Sequence, residues 1–449
     1  MLHRPRTGFA PAHAPSGSWA RPPVAVLLAS SVAIRGFPGN RIGGPRHASQ
    51  HPRSTRTAAA AAATGPELFD GFGELHRDIG SRVPAAQRYF DQGLRMAYGF
   101  NHEAAGRSFA EAARLDPRCA ICIWGQALVP GPNINLPMDP GLAKDATTLA
   151  QSAVELAANA TPADRALIHA LRLRYANPAP EDRKPLDLAY AEAMAKVVHD
   201  FPGDDDAATL YAEALMDLTP WTYWTAEGQQ TEHTPRTIGA LERVLARNPR
   251  HIGAMHYYIH ATEASPNPER ALPHADALAA LAPGSGHLVH MPAHAYIRVG
   301  RYHDATLTNF AATTADQAFL SVCRGTNGIY PLGYVPHNWH FAMMTAGLTG
   351  SRGMAHARSG RLEQAARDAE ALHATATDPA IARTNFGMNN AEAVLRIADS
   401  LLRGELLRAR GRNTEALAAL REAAGAADSE RGYRDAWQWA DAPLTASRY

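Results

Sequence analysis

The sequence predicts an all-α protein, an α-solenoid in which helical hairpins stack in a right-handed superhelix. Prolines and small residues recur with a spacing of 34: Pro283 follows Pro249, and Ala305 follows Ala271. Hydrophobic residues make up 46% of the chain but aromatic residues only 7%, so the core is mostly alanine and leucine, which favour helix. The 449 residues are too many for one compact domain and suit two or three domains or a repeat array.

Residues 1–66 are predicted to be a disordered leader. The first acidic residue is Glu67, and eight arginines but no lysine precede it. Such a segment resembles an organellar transit peptide for mitochondrion or plastid, and the apolar stretch 24–34 makes an export signal an alternative. A plain unstructured tail, or a start assigned too far upstream, is the remaining interpretation.

Residues 85–424 carry the repeat pattern. Its spacing of small residue, aromatic residue, small residue and proline predicts about six to eight degenerate hairpins. The helices of a hairpin pack closely only where side chains are small, and each hairpin buries its other face on the next. The first and last clear units consist of Ala105, Phe109, Ala112 and Pro117, and of Gly404, Ala416, Leu420 and Ala423. Residues 425–449 are interpreted as a C-terminal tail, and a truncated tail is an alternative.

Two segments interrupt the repeat. Residues 129–139 contain three prolines, and residues 325–336 belong to an insertion in the 34-residue spacing. Both lie at the same end of the first helix of their repeat units. We therefore expect them to cover a site rather than to serve only as connectors.

Charge and missing motifs exclude several classes of function. The chain has 44 basic and 43 acidic residues, without the basic excess of a nucleic-acid binder. No run reaches the roughly 18 apolar residues of a membrane span. The motifs GxxxxGK[ST], GxSxG and HExxH are absent, which removes the usual support for phosphate-loop, serine-hydrolase and zincin chemistry.

Histidines follow the repeat. His256 and His260 lie four residues apart, and His290 and His294 repeat that pair 34 residues later. Spacings of three, four and seven residues keep side chains on one face of a helix, and neighbouring helix axes lie about 8–10 Å apart. Imidazoles from adjacent helices can therefore meet around one or two ions. The predicted metal ligands are His256, His260, His287, His290, His294, His337, His340 and Glu263.

Imidazole and carboxylate ligands without thiolate suit zinc, copper, iron or nickel rather than calcium or magnesium. Six histidines in three pairs would suit a dinuclear copper centre, whereas two histidines with Glu263 would suit non-haem iron or zinc. The alternative is a hydrogen-bonded groove on a non-enzymatic scaffold that binds a protein or peptide partner, although such grooves usually carry Lys, Arg and Asn. Whether the protein is an enzyme stays open at this point.

Three acidic residues are catalytic candidates: Glu263, Glu213 and Asp217. The last two fall on the predicted helix DDAATLYAEALMD, where they could act as general bases or orient metal ligands. A solvated helix face is the alternative for Glu213 and Asp217.

Cys119 and Cys122 form an isolated CxxC pair. Two buried small apolar residues are the favoured interpretation, and copper(I) binding or a redox disulfide are alternatives. Core packing is expected for Trp124, Trp221 and Trp224.

The repeat pattern resembles tetratricopeptide-repeat proteins, in which positions 2, 5, 9 and 12 of each first helix face a concave groove. The strings HYYIHATE, HLVHMPAH and PHNWH further resemble a group of largely bacterial tetratricopeptide-repeat proteins without an assigned activity. The resemblance implies the fold and the histidine pattern, not a reaction. Members of the group continue with further repeats where this chain stops at Tyr449, which implies either a truncated solenoid or a partner that covers its end.

Overall fold

The computed structural model describes residues 65–323, 328–382, 385–386 and 389–429. Regular structure in these residues is helical except for two-residue antiparallel strands, β1 (Asn385–Phe386) and β2 (Asn389–Asn390). The all-α prediction is therefore confirmed. None of the described helices combines the length and apolar character that crossing a membrane requires. Residues 1–64 and 430–449 lie outside the described residues, so the leader, the targeting and the C-terminal tail stay predictions.

Eighteen α-helices follow one another in the described residues, and most pack against the next in the chain. They are α1 (Pro84–Tyr98), α2 (His102–Leu115), α3 (Ala120–Leu128), α4 (Ala143–Leu156), α5 (Pro162–Arg172), α6 (Lys184–Asp200), α7 (Asp205–Asp217), α8 (Thr234–Arg247), α9 (Ile252–Thr262), α10 (Leu272–Leu281), α11 (Gly286–His290), α12 (Pro292–Arg298), α13 (Tyr302–Val322), α14 (Val335–Arg358), α15 (Leu362–Ala376), α16 (Pro379–Ala382), α17 (Ala391–Ala409) and α18 (Asn413–Ser429). A short π-helical segment, Tyr330–Tyr334, leads directly into α14.

Helices α9 and α11 begin 34 residues apart, at Ile252 and Gly286. The second of these helices is interrupted after His290 and resumes at Pro292 as α12. Proline has no backbone N–H to donate to the preceding turn, which explains a break at this point. His290 and His294 therefore lie on two short helices, although their counterparts on α9 share one.

The end of α1 packs on α9, far along the chain. A Cβ placed on Gly253 would lie 2.4 Å from a ring carbon of Tyr98, so the Tyr98 ring fits only because residue 253 is glycine. The rings of Tyr98 and Tyr257 have centroids 6.1 Å apart. Stacking of nearest-neighbour hairpins alone does not predict this contact.

The segment before α1 is tied to the helices by Arg77. Its guanidinium is bonded to Asp164 at 2.6 Å and to Asp204 at 2.8 Å, and Asp206 lies 3.4 Å away. These side chains are almost fully withdrawn from solvent, where an unpaired charge would be strongly destabilising. The network joins the N-terminal segment to α5 and α7.

Candidate metal centre

Six histidines from four helices meet in the interior of the protein. We call His256, His260 and His287 the first triad, and His290, His294 and His337 the second triad. Within each triad, ring nitrogens of all three residues lie within 4.8 Å of one another. Five of the six side chains are buried and His337 is half-buried. A third combination at the same spacing, His260, Glu263 and His294, takes one histidine from each triad.

In the first triad, backbone and carboxylate acceptors determine which ring nitrogens carry protons. Nδ1 of His256 lies 2.6 Å from the carbonyl oxygen of Tyr98, which can only accept, so Nδ1 is the donor. Nδ1 of His260 lies 3.2 Å from Oε1 of Glu263. Both Nε2 atoms are then left with lone pairs. Nε2 of His256 lies 3.1 Å from Nε2 of His287, while Nε2 of His260 has no hydrogen-bond partner among the described residues.

The second triad has the same organisation. Nδ1 of His290 lies 2.6 Å from Oδ1 of Asn309, whose amide nitrogen donates to the carbonyl oxygen of Ala305 at 2.6 Å. That second bond orients the amide so that its oxygen faces His290. Nδ1 of His294 lies 3.0 Å from Oε2 of Glu263. Donation from Nδ1 leaves Nε2 of His290 and of His294 without a proton in the neutral rings.

The Nε2 atoms of the second triad point at one another. Those of His290 and His294 are 2.9 Å apart, and those of His290 and His337 are 3.2 Å apart. The lone pairs of His290 and His294 repel unless a proton or a metal ion lies between them, whereas a neutral His337 can carry its proton on Nε2 and donate it to His290. Two nitrogens bound to one ion at about 2.0–2.1 Å, at a tetrahedral angle, are about 3.3 Å apart. The observed Nε2–Nε2 distances are close to this ligand–ligand distance.

Burial disfavours a proton as the bridging cation. It lowers the pKa of His256, His287 and His290 well below the usual value, and the neighbouring imidazoles lower it further. For the same reasons the pKa of His337 is lowered to about 3. Burial alone would raise the pKa of Glu263, but the contacts with His294 and His260 outweigh it and hold that pKa well below its usual range. Neutral imidazoles at His256, His287, His290 and His337 thus lie close to an ionised carboxylate.

Aromatic rings enclose the two triads. The ring centroids of Phe100 and His256 are 4.6 Å apart, and those of Phe341 and His290 are 4.8 Å apart. Trp221 meets His260 edge-on at 5.1 Å and is itself 39% exposed, with a positive φ of 62°. Core packing, expected for Trp221, is therefore wrong, because this side chain is exposed and lies against His260 of the first triad.

The two segments that interrupt the repeat meet over the first triad. The ring of Tyr334 packs on His287 with centroids 4.9 Å apart. Its hydroxyl accepts a hydrogen bond from the Asn135 side chain at 3.3 Å. The expectation that these segments cover a site agrees with this arrangement for the described part of the insertion.

A buried carboxylate fastens the surrounding helices. Asp316 on α13 accepts hydrogen bonds from the Tyr330 hydroxyl and the Asn338 amide, both at 2.8 Å. The Tyr330 oxygen in turn accepts from the backbone N–H of His287 at 3.2 Å. Burial raises the pKa of Asp316 to about 6, although the two hydrogen bonds oppose the shift. This network connects α11, α13 and α14 behind the histidines.

The structure does not bring His340 into the cluster. This side chain is exposed and belongs to none of the groups of converging ligand atoms in the described residues. An α-helix turns about 100° per residue. His337 and Phe341, four residues apart, both face the second triad, and His340 falls on the flank that faces solvent.

Glu213 and Asp217 lie elsewhere on α7, in a buried ionic cluster. Oδ2 of Asp217 is bonded to Arg174 at 2.5 Å, and both side chains are 2% exposed. Burial raises the pKa of Glu213 and of Asp217, although Arg174 opposes the shift. The alternative of a solvated helix face is therefore wrong. Neither residue belongs to the converging ligand groups of the described residues, and their catalytic role stays a prediction.

The CxxC pair is oxidised in the structure. Cys119 and Cys122 form a disulfide at the start of α3, and both residues are buried. Treating them as two separate buried thiols, the favoured interpretation of the sequence, is corrected by this bond. Trp124 and Trp224 pack in or against the core, as expected.

Several residues of the site have no clear signal in the sequence. Tyr98 and Phe100 come from the end of α1 and the residues after it, and Asn309 comes from α13, which carries no member of the two triads. Phe341 could have been inferred, because it follows His337 by four residues and must share its face.

No protein-family model matches the chain, and no curated protein matches it significantly.

Proposed function

We propose that the protein binds two transition-metal ions, one in each triad. The proposal depends on two observations. Nε2 atoms lie about 3 Å apart in the pairs His256–His287 and His290–His294. Acceptors at Nδ1 of His256, His260, His290 and His294 leave Nε2 of these rings available. This is the arrangement of metal-ligating histidines, whose second ring nitrogen donates to a carbonyl or carboxylate.

The donor set favours copper, with zinc and iron as competitors. Six imidazoles without thiolate suit first-row transition metals, and a copper pair fits three imidazoles for each ion. Three protein ligands leave coordination positions for water or a substrate, which is typical of catalytic rather than structural sites. The proposed centre is therefore compatible with a metal-dependent enzyme.

His256 and His290 are 34 residues apart, and so are His260 and His294. This separation of one repeat length supports a tetratricopeptide-like solenoid as the architecture that builds the site. A partner-binding groove is the competing function. Burial of the imidazoles beneath Phe100 and Tyr334 argues against peptide contact with these residues.

The group His260, Glu263 and His294 supports a second candidate, a mononuclear zinc or iron site. In that arrangement Glu263 would be a direct ligand and the Nδ1 atoms would face the metal. His287 and His337 would then be dispensable, which separates the two candidates experimentally.

The test is elemental analysis of purified protein, followed by reconstitution of chelator-treated protein with copper, zinc or iron. We expect two ions per chain, and loss of at least one ion in His287→Ala and in His337→Ala. One ion per chain in the unmodified protein, retained in both variants and in the double variant, would indicate the mononuclear site. A folded chain that takes up none of the three metals would refute metal binding and leave the groove as an interaction surface.

A further inference from the structure

Glu263 touches both triads at once. It follows the last residue of α9, and its carboxylate is buried. Oε1 lies 3.2 Å from Nδ1 of His260 in the first triad, and Oε2 lies 3.0 Å from Nδ1 of His294 in the second. A single carboxylate thus holds one histidine of each candidate site.

We propose that Glu263 is a positioning residue that sets the tautomer of His260 and His294 and thereby determines how many ions the chain holds. The proposal rests on the two-ion function above. A carboxylate has acceptors on both oxygens, so it can receive an N–H from both rings. Nε2 of each ring then carries a lone pair that is available to a metal ion.

The distances support this role over direct ligation. Both oxygens lie at hydrogen-bond separation from Nδ1, which leaves Nε2 of each ring free of the carboxylate. Arg298 approaches Oε2 at 3.7 Å and adds a positive charge beside the carboxylate. One negative charge, held between two cationic sites, also offsets part of the charge that each ion introduces.

Replacement of the carboxylate by an amide gives a specific expectation. In Glu263→Gln the side-chain oxygen can accept from one histidine, but the NH₂ group must donate to the other. The second ring then presents a lone pair at Nδ1 and carries its proton on Nε2, which can no longer bind a metal. We expect the variant to hold one ion per chain where the unmodified protein holds two.

The experiment compares the unmodified chain, Glu263→Gln and Glu269→Gln, which makes the same chemical change at an exposed residue. Bound copper and zinc are counted after reconstitution, and circular dichroism checks that helix is retained. We expect two ions in the unmodified chain and in Glu269→Gln, and one in Glu263→Gln. Two ions in Glu263→Gln would overturn the proposal, and so would none in a folded variant, because Glu263 would then be a direct ligand.

Nitrogen-15 NMR of labelled histidines in metal-free protein provides a readout that is independent of loading. Both His260 and His294 should carry their protons on Nδ1, and one of the two should change tautomer in Glu263→Gln. Unchanged tautomers would overturn the proposal. If the unmodified chain binds no metal, the proposed function fails by itself, while the tautomer measurement still decides the role of Glu263.

Discussion

Asn309 holds the ring of His290 in one orientation. Its oxygen accepts from Nδ1 at 2.6 Å, and its amide nitrogen is held by the carbonyl oxygen of Ala305 one helical turn earlier. The helix thus determines which end of the amide faces the imidazole. Through this bond α13, which supplies no ligand, orients a residue of the second triad.

Asn309→Ala should lower the affinity of the second triad for its ion by about 10–100-fold. This is the usual effect of removing the acceptor that orients a metal-bound histidine. The first triad should keep its affinity. Calorimetric titration of metal-free protein measures both sites. Thr308→Ala is the matched control, because within the described part of the chain its hydroxyl bonds to the Asp304 carbonyl oxygen and not to the site. Equal affinities in Asn309→Ala and in the control would contradict the role of this bond.

His294→Ala should release the ion of the second triad and retain the helical content. It removes an Nε2 atom that lies 2.9 Å from that of His290. His340→Ala is its control, since this exposed histidine lies three residues from His337 yet outside the converging groups. Metal analysis after desalting should show a loss only in the first variant. A loss in His340→Ala as large as in His294→Ala would place His340 in the site after all.

Acidification should destabilise the metal-free protein. Burial lowers the pKa of His337 to about 3, whereas an unfolded histidine titrates near 6.5, so the unfolded chain binds more protons below that pH. This contribution to stability is complete above pH 6.5 and falls as the pH drops towards 3. At pH 5 the loss is at most about 2 kcal/mol for one such histidine.

Asp316 acts in the opposite direction, because its pKa is raised to about 6. Because this carboxyl takes up a proton in the folded state, it adds about 1.5 kcal/mol to the free energy of unfolding as the pH falls from 7.5 to 5. His256, His287 and His290 are shifted in the same direction as His337, so the histidines outweigh this carboxyl. Urea unfolding at pH 7.5 and 5 measures the difference. Equal stability at both values would contradict the buried neutral histidines.

Gly253→Ala should destabilise the fold by about 1–3 kcal/mol, the usual cost of overpacking. The new methyl group would lie 2.4 Å from the Tyr98 ring. Gly347→Ala, on α14 with open space around its Cβ position, should instead stabilise by about 0.5–1 kcal/mol. Thermal unfolding of the two variants should therefore shift in opposite directions. A neutral Gly253→Ala would mean that α1 does not pack on α9 as described.

Tyr334→Ala should speed the release of metal to a chelator, because the ring covers His287. Tyr334→Phe keeps that ring and loses only the contact with Asn135, so its release should stay close to that of the unmodified chain. Stopped-flow mixing with a chromogenic chelator measures the rates. Identical rates in all three proteins would show that ions leave by another route.

The sequence is sufficient to predict the helices and most of the histidine cluster. A 34-residue separation gives His256 and His290 equal positions on successive units, and the spacing within α9 gives His260 the same face. His337 follows from the same counting, but the insertion before α14 obscures the phase. The side of α14 that His340 occupies depends on how the whole helix is rotated against α11, which local spacing does not determine.

The repeat pattern does not predict contacts between segments that are distant in the sequence. The carbonyl oxygen of Tyr98 accepts from His256 because α1 packs on α9, and no periodicity links these two segments. Asn309 is similarly hidden, since one asparagine on the second helix of a hairpin has many ordinary roles. Such partners become visible only when the tertiary packing is known.

The hydrogen bond between His256 and the Tyr98 carbonyl oxygen joins segments that are made at different times during translation. The two triads are therefore completed in a fixed order. The segment that ends in Tyr98 leaves the ribosome long before α9, whereas His337 is the last member of the two triads to emerge. The first triad can close once α11 has joined segments already made, but the second must wait for α14. Growing chains therefore pass through a stage in which the first triad can be complete and the second cannot, so the ion proposed for the second triad could bind only after α14 has been made.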